Sequence, residues 1–380
     1  MFDKKNITIL CKVVDNYGDI GVVYRLARSL SEIDKDLKIK IIIDNLFAFS
    51  SIKKNINPEL SIQYINNWKI LNWNSREICK EEFLKNPPSI ILECFQCGRP
   101  DWLEEILFAP NYNTPCQIIN IDYLTAEPYA EDFHLLKSGT RSLYIKKINF
   151  MPGFTNKTGG LILDNTFINN LNANFNKRNK INEEFSILIF SYERDFYQLF
   201  IALNQFQQNK RLSNPNFSVK VYAANGKSQK YVLDAWEKTQ KIVNLIKLPF
   251  LQQEEWDELL TKMNFLFIRG EDSLSRAVLC GVPFVWHAYI QDENYHLVKV
   301  NALLDLLTQK FSIEEKKYLT ELWNDYNTPN KPLNENALKY ILTNSTENNF
   351  INKFLTFSTE LIENGNLGNN LLHYIEQLKL

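Results

Sequence analysis

The stretch FIRGEDSLSRAVLCGVPFVWH, residues 267–287, passes from an apolar run through five polar-rich positions into an amphipathic segment. NFLFI (264–268) reads as a strand, and Arg269-Gly270-Glu271-Asp272-Ser273 is the loop at its carboxyl end. LSRAVLCG begins a helix, which Gly281 and Pro283 stop before the next strand, VPFVWHAY (282–289). Asp272 or Ser273 suits a helix N-cap, and acids in a first helical turn offset the dipole. Capping does not explain Arg269, whose guanidinium at the same mouth suits a diphosphate better than a helix start. The loop is therefore read as an anion-and-ribose pocket at a strand's carboxyl edge.

The same alternation extends on either side. Toward the amino terminus, FSILIFSYE (185–193), FSVKVYAA (217–224) and KIVNLIKLPF (241–250) read as strands. Earlier strands are expected at 7–15, 39–45, 61–66, 89–95, 117–124 and 142–150, with most spacers long enough for helical crossovers. Continuously apolar runs suit strands buried on both faces of a parallel sheet. MPGFTNKTGG (151–160) and the polar stretch 165–184 mark a boundary, and NLNANFNKRNKINEE is taken as a solvated linker. Beyond residue 290 the spacing is helical to the end. Two α/β domains are expected, 1–160, completed by the helix 360–380, and 180–355, with a cleft between the carboxyl ends of their sheets. A GT-B nucleotide-sugar transferase, a two-domain dehydrogenase and a periplasmic-type binding fold all fit this layout.

Composition excludes some classes. A chain of 380 residues with 45% hydrophobic content can fill two cores. A formal net charge of -1 gives no global positive field, which argues against a nucleic-acid binder or an anionic-membrane partner. The start, MFDKKNITILCKVVDNYGD, moves straight into a strand-like run. No apolar stretch approaches the roughly 18 residues of a membrane span, so a soluble, cytoplasmic protein is expected. Cys94 and Cys97 form a Cys-x-x-Cys with no second ligand pair, and are read as partly buried thiols at a strand end. His134, His287, His296 and His373 show no ligand spacing, so no metal site is expected.

A second constellation lies in VVDNYGDIGVVYRLARSL. Asp15 is read as ending the first strand, and Gly18 and Gly21 bracket Asp19 where a helix opens. This is neither a G-x-G-x-x-G fingerprint nor a Walker loop. Asp19 alone could be an N-cap and Asp15 a turn former. Together, on a glycine-containing turn facing a cleft, they read as groups that meet a cation or an acidic proton. In LPFLQQEEW (248–256), Phe250 and Gln253 precede a helix, and Phe190 and Tyr192 end another strand. Such aromatics are core residues or a base-stacking platform, with Gln253 placed to read a base edge.

CKVVDNYGDIGVVYRLARSL, IDYLTAEPYAEDFHLL, FMPGFTNKTGGLI, LPFLQQEEWDELL and the 267–293 block resemble, in order, the bacterial protein-arginine rhamnosyltransferases that modify elongation factor P. Tyr24 stands where that family tends to have Trp, and Ser191 where Cys is common; neither is assigned a polar role. The resemblance implies a GT-B fold of two Rossmann-like domains. It implies inverting, metal-independent transfer of L-rhamnose from dTDP-β-L-rhamnose to an arginine of elongation factor P, with no cofactor. Phe190 and Phe250 would flank the thymine with Tyr192 nearby, and Gln253 would contact the nucleotide. Arg269, Glu271, Asp272 and Ser273 would meet the sugar and diphosphate, and Asn16, Tyr17 and Gly18 would also touch the donor. Asp15 and Asp19 would serve the acceptor arginine, with Asp19 favoured as general base and Glu271 as an alternative critical acid. Other readings stay open: a GT-B enzyme using another nucleotide-sugar on a glycan or lipid, or a non-catalytic elongation-factor-binding protein.

Overall fold

The computed structural model describes residues 3–14, 17–178 and 183–379. The chain divides into two compact units, residues 1–165 with 364–380, and residues 166–363. In chain order the first unit contains β1 (Asn6–Cys11), α1 (Gly18–Ile33), β2 (Lys38–Ile43), α2 (Leu46–Ile52), β3 (Ile62–Ile65), β4 (Trp68–Asn72), α3 (Arg76–Lys85), β5 (Ile90–Cys94), α4 (Asp101–Leu107), β6 (Cys116–Ile121), α5 (Tyr129–Phe133), β7 (Lys137–Ser138) and β8 (Ile145–Phe150). Next come α6 (Asn165–Arg178), β9 (Glu184–Ile189), α7 (Tyr197–Arg211), β10 (Ser218–Ala223), α8 (Gln229–Glu237), β11 (Asn244–Lys247), α9 (Gln253–Leu260), β12 (Phe265–Arg269), α10 (Glu271–Cys280) and β13 (Phe284–His287). Helices α11 (Tyr295–Leu307), α12 (Ile313–Asn327), α13 (Glu335–Asn344) and α14 (Asn348–Glu363) close the second unit, and α15 (Leu367–Gln377) returns to the first.

The first sheet runs β3-β4-β2-β1-β5-β6-β8-β7, and the second β11-β10-β9-β12-β13. Successive strand residues point to opposite faces, so parallel strands covered on both sides must be apolar throughout. In the first unit Ile9, Ile41 and Leu92 pack with Val23, Ala27 and Leu371 on one face. Leu10, Ile42 and Ile91 pack with Phe83 and Trp102 on the other. Strand order reverses between β1 and β5 in one sheet and between β9 and β12 in the other. At such switch points the loops leaving adjacent strands diverge, opening a crevice at the carboxyl edge.

Several expectations need correction. The first sheet is mixed: β3 runs antiparallel to β4, and β7 antiparallel to β8. Both pairs are at the edges, where a strand need not be apolar on both faces. Strand β1 stops at Cys11, so Asp15 does not end it; Asp15 and Asn16 lie outside the described residues. The stretch read as a linker is largely α6, with Phe167 buried under the Arg276 guanidinium at 4.6 Å. Asparagine lowers helix propensity, but tertiary burial of the apolar face overrides it. The strand read over 241–250 shrinks to β11, an edge strand of four residues. Cys94 is fully buried, deeper than the partly buried thiol expected, while Cys97 is half-buried.

Helix α15 is part of the first core through Leu367, Leu371, Leu372 and Ile375. Its entry is fixed by the Leu367 N–H donating to the Leu161 carbonyl at 2.8 Å, and by the Asn366 amide donating to the Leu163 carbonyl at 2.8 Å.

Candidate active site

The opening stretch folds as strand, loop, helix and strand, with Arg269 closing β12 and Gly270 turning the chain into α10. Gly270 holds φ 73° and ψ 155°, a backbone region nearly closed to residues with a Cβ. Glu271 and Asp272 fall in the first turn of α10, where the helix dipole favours negative charge, and Ser273 is buried beside them. Because the helix begins at Glu271, neither Asp272 nor Ser273 holds the cap position that capping alone would give it.

Arg269 lies on two aromatic faces: its Cζ is 4.8 Å from the Phe190 centroid and 4.7 Å from that of Tyr192. Phe190 is held edge-on by Trp256 of α9 at 4.9 Å. The turn after β10 approaches both: a Cβ on Gly226, at φ 137°, would lie 3.6 Å from Arg269 Nη2 and from Phe190. Among the described residues Arg269 has no carboxylate partner, and its buried Nε has no hydrogen-bond acceptor. A guanidinium backed by rings and left without an anion is a site prepared for one.

Gln253 opens α9 and is buried; Phe250, 44% exposed, lies on the segment leading to it. That segment is tied to the neighbouring turn by the Gln229 amide, which donates to the carbonyls of Ala223 and Leu248. The structure thus brings Phe190, Tyr192 and Arg269 into contact, with Glu271–Ser273 following directly. It places Gln253 three residues before Trp256, which touches Phe190.

Tyr192 also borders a polar network unmarked in sequence, through its ring contact with His287. Ser191 Oγ is 2.7 Å from His287 Nδ1, and the Tyr326 hydroxyl donates to Ser191 Oγ at 3.0 Å. The Ser191 N–H donates to Ser228 Oγ at 3.1 Å. Ser191, assigned no polar role from sequence, is therefore a hydrogen-bond hub. Burial, then the nearby Arg194, Arg269 and His296, pulls the His287 pKa down to about 3. Burial pushes the Tyr326 phenol up to about 12. The partners come from residues 96 and 135 positions apart, so no local motif announces them. The one available signal was three polar residues at a strand end, a strand end and a helix end of one α/β unit.

In the first unit Asp19 lies in the first turn of α1, 4% exposed, and its Oδ2 accepts the Val14 N–H at 2.7 Å. Asp44, just beyond β2, accepts the Val13 N–H at 2.9 Å. Two carboxylates thus pin the segment after β1. Asp19 sits two residues inside the helix from Tyr17, the capping position, and binds backward to the loop. Burial, with Asp19 among the neighbouring charges, pushes the Cys11 and Cys94 thiols up and makes them poor nucleophiles. Tyr17 is exposed and Gly18 starts α1. No group of three or more His, Cys, Asp or Glu among the described residues is arranged to hold a metal ion. No helix among them is long and apolar enough to cross a membrane.

Two doubly wound units, one with an anion-seeking guanidinium at its switch point, define the GT-B class of glycosyltransferases. A solved structure of UDP-glucose: anthocyanidin 3-O-glucosyltransferase in complex with UDP shares this fold at TM-score 0.52 and 10% identity, covering 100% of both chains. A structure described as the basis for EarP-mediated arginine glycosylation of translation elongation factor EF-P matches at TM-score 0.59 and 19% identity. It covers 98% of this chain and 99% of that one. Residues 7–376 match the family described as Elongation-Factor P (EF-P) rhamnosyltransferase EarP, and the chain belongs to that family. The protein-arginine rhamnosyltransferase of Shewanella oneidensis is 30% identical over 87% of this chain and 92% of its own length. That of Pseudomonas putida is 30% identical over 84% and 86%. The protein is an enzyme, a glycosyltransferase acting on arginine.

Proposed function

We propose that this enzyme moves L-rhamnose from dTDP-β-L-rhamnose to an arginine side chain of elongation factor P, with inversion, in the cytoplasm and without a metal. The observation that carries the donor half is Arg269, stacked on Phe190 and Tyr192 with its buried Nε lacking an acceptor. In this reading Phe190 and Phe250 flank the thymine, Tyr192 lies nearby and Gln253 contacts the nucleotide. Arg269 and the start of α10 meet the diphosphate and sugar, and Asn16, Tyr17 and Gly18 add donor contacts. Relatives named protein-arginine rhamnosyltransferase support the sugar and the acceptor residue, and the structure described with EF-P supports the partner.

The acceptor guanidinium is a poor nucleophile because it stays protonated, with a pKa above about 12. Asp19 takes its proton while Asp15 orients it, as a nitrogen attacks the anomeric carbon opposite the diphosphate. The nitrogen–carbon bond forms, the carbon–oxygen bond to diphosphate breaks, and its electron pair leaves with dTDP. Arg269 and backbone N–H groups at helix starts take up the charge that develops on the leaving oxygen. Glu271 acts on a donor hydroxyl.

Incubation of elongation factor P with enzyme and dTDP-β-L-rhamnose, followed by intact-mass measurement, tests the proposal. Addition of one deoxyhexose, unaffected by EDTA, is expected; an unmodified factor refutes it.

A further inference from the structure

We infer that His287 touches the donor, offering a neutral Nε2–H to an oxygen of the nucleoside diphosphate, and that Ser191 and Tyr326 are positioning residues that hold it in that form. The inference rests on the donor reading above.

Three observations carry it. First, His287 and Arg269 are register partners on the adjacent parallel strands β13 and β12, so their side chains leave the same face of the sheet. Tyr192, whose face backs Arg269, lies 5.2 Å from the His287 ring at 85°, so the guanidinium and the imidazole share one aromatic neighbour.

Second, the hydrogen-bond chain fixes the tautomer. The Tyr326 hydroxyl donates to Ser191 Oγ, which leaves the single Ser191 proton for His287 Nδ1. Were Nδ1 the donor, a buried hydroxyl proton would be stranded either way: that of Tyr326 if the chain ran in reverse, or that of Ser191 if its Oγ accepted from both neighbours. With Nδ1 accepting, the ring proton sits on Nε2.

Third, His287 as a whole is only 3% exposed and its Nδ1 is taken by Ser191, which leaves Nε2 as the ring nitrogen open to a ligand. Next door, Arg269 Nε is buried with no acceptor, a donor whose desolvation is uncompensated until an anion binds. Two adjacent donors, one cationic and one neutral, match the oxygens of a diphosphate. Arg194 and Arg269 both oppose a charge on the imidazole, so His287 contributes a directed hydrogen bond and no third cation.

Nitrogen-15 correlation spectra of the imidazoles, together with calorimetric titration with dTDP, test this. In the wild-type protein at neutral pH, His287 is expected as the Nε2–H form, with its Hε2 signal shifting when dTDP is added. His287→Leu is expected to weaken dTDP binding about tenfold or more, while His287→Gln, whose amide N–H reaches a similar place, stays within about threefold. Ser191→Ala should release the tautomer and weaken dTDP binding, whereas Ser191→Thr, which keeps the hydroxyl, should restore both. An Nδ1–H tautomer, or an Hε2 signal indifferent to dTDP, overturns the inference in wild-type protein alone, whatever the variants' folding. Unchanged dTDP affinity in a folded His287→Leu protein overturns it while leaving the donor reading intact. Wild-type protein that binds no dTDP overturns both.

Discussion

Replacing Asp19 by Asn separates the two things its carboxylate is asked to do. One is structural: Oδ2 accepts the Val14 N–H at 2.7 Å and holds the segment after β1. The amide oxygen of the replacement can accept the same bond, so that segment keeps its anchor. Exchanging a charged for a neutral acceptor costs about 1 kcal/mol. The other is chemical, and an amide cannot take a proton from guanidinium. Loss of a general base costs roughly 10²- to 10⁴-fold in rate, or about 3–5 kcal/mol in barrier height. In the proposed reading the nucleotide meets Phe190, Phe250, Gln253 and Arg269 of the second unit, so dTDP affinity should hold within about threefold. The assay is a time course of modified elongation factor P by intact mass, at saturating donor, with calorimetry for dTDP. A rate within threefold of wild type would refute the role of Asp19. A rate loss accompanied by collapse of dTDP binding would show structural damage in its place.

Three further outcomes follow from the geometry. Arg269→Lys keeps the charge but loses the planar group that stacks on Phe190 and Tyr192, so dTDP should bind about 10- to 100-fold more weakly by calorimetry. Gly270→Ala places a Cβ where nothing lies within 4 Å but φ is 73°, so the cost is backbone strain alone, about 1–3 kcal/mol. Scanning calorimetry should show the second unit melting several degrees lower, and an unchanged Tm would contradict the assigned turn. His287, with its pKa lowered from 6.5 to about 3, contributes stability that is complete above pH 6.5 and declines as pH falls toward 3. Between pH 4 and 6, denaturant unfolding of wild type should lose up to about 1.4 kcal/mol more per pH unit than His287→Gln. Parallel slopes would refute that assignment.

Which parts were readable in advance follows from how far apart the contributing residues lie. The β12–α10 segment was legible because an apolar run, a polar turn and an amphipathic run are adjacent, and because the switch-point rule says where such a loop goes. Phe190, Tyr192 and Arg269 were named from strand ends, and they meet as Arg269 stacks on both rings. Helix α6 was hidden by its asparagines, since its stability comes from Phe167 packing against Arg276, a residue more than a hundred positions away. The antiparallel edges were missed because β7 has two residues and β4 follows β3 through a two-residue turn, Asn66-Asn67, both at positive φ. The Tyr326–Ser191–His287 chain left no trace in spacing because only the folded sheet brings β9, β13 and α12 together.

The route of the backbone has a consequence for biosynthesis. Helix α15 fills the first core with Leu371 and Ile375, yet it is translated after the whole of the second unit. A nascent chain can therefore close the second unit, within residues 166–363, while the amino-terminal sheet still exposes the apolar groove that α15 will cover. The half that carries Asp19 is the first to be synthesised and the last to be finished.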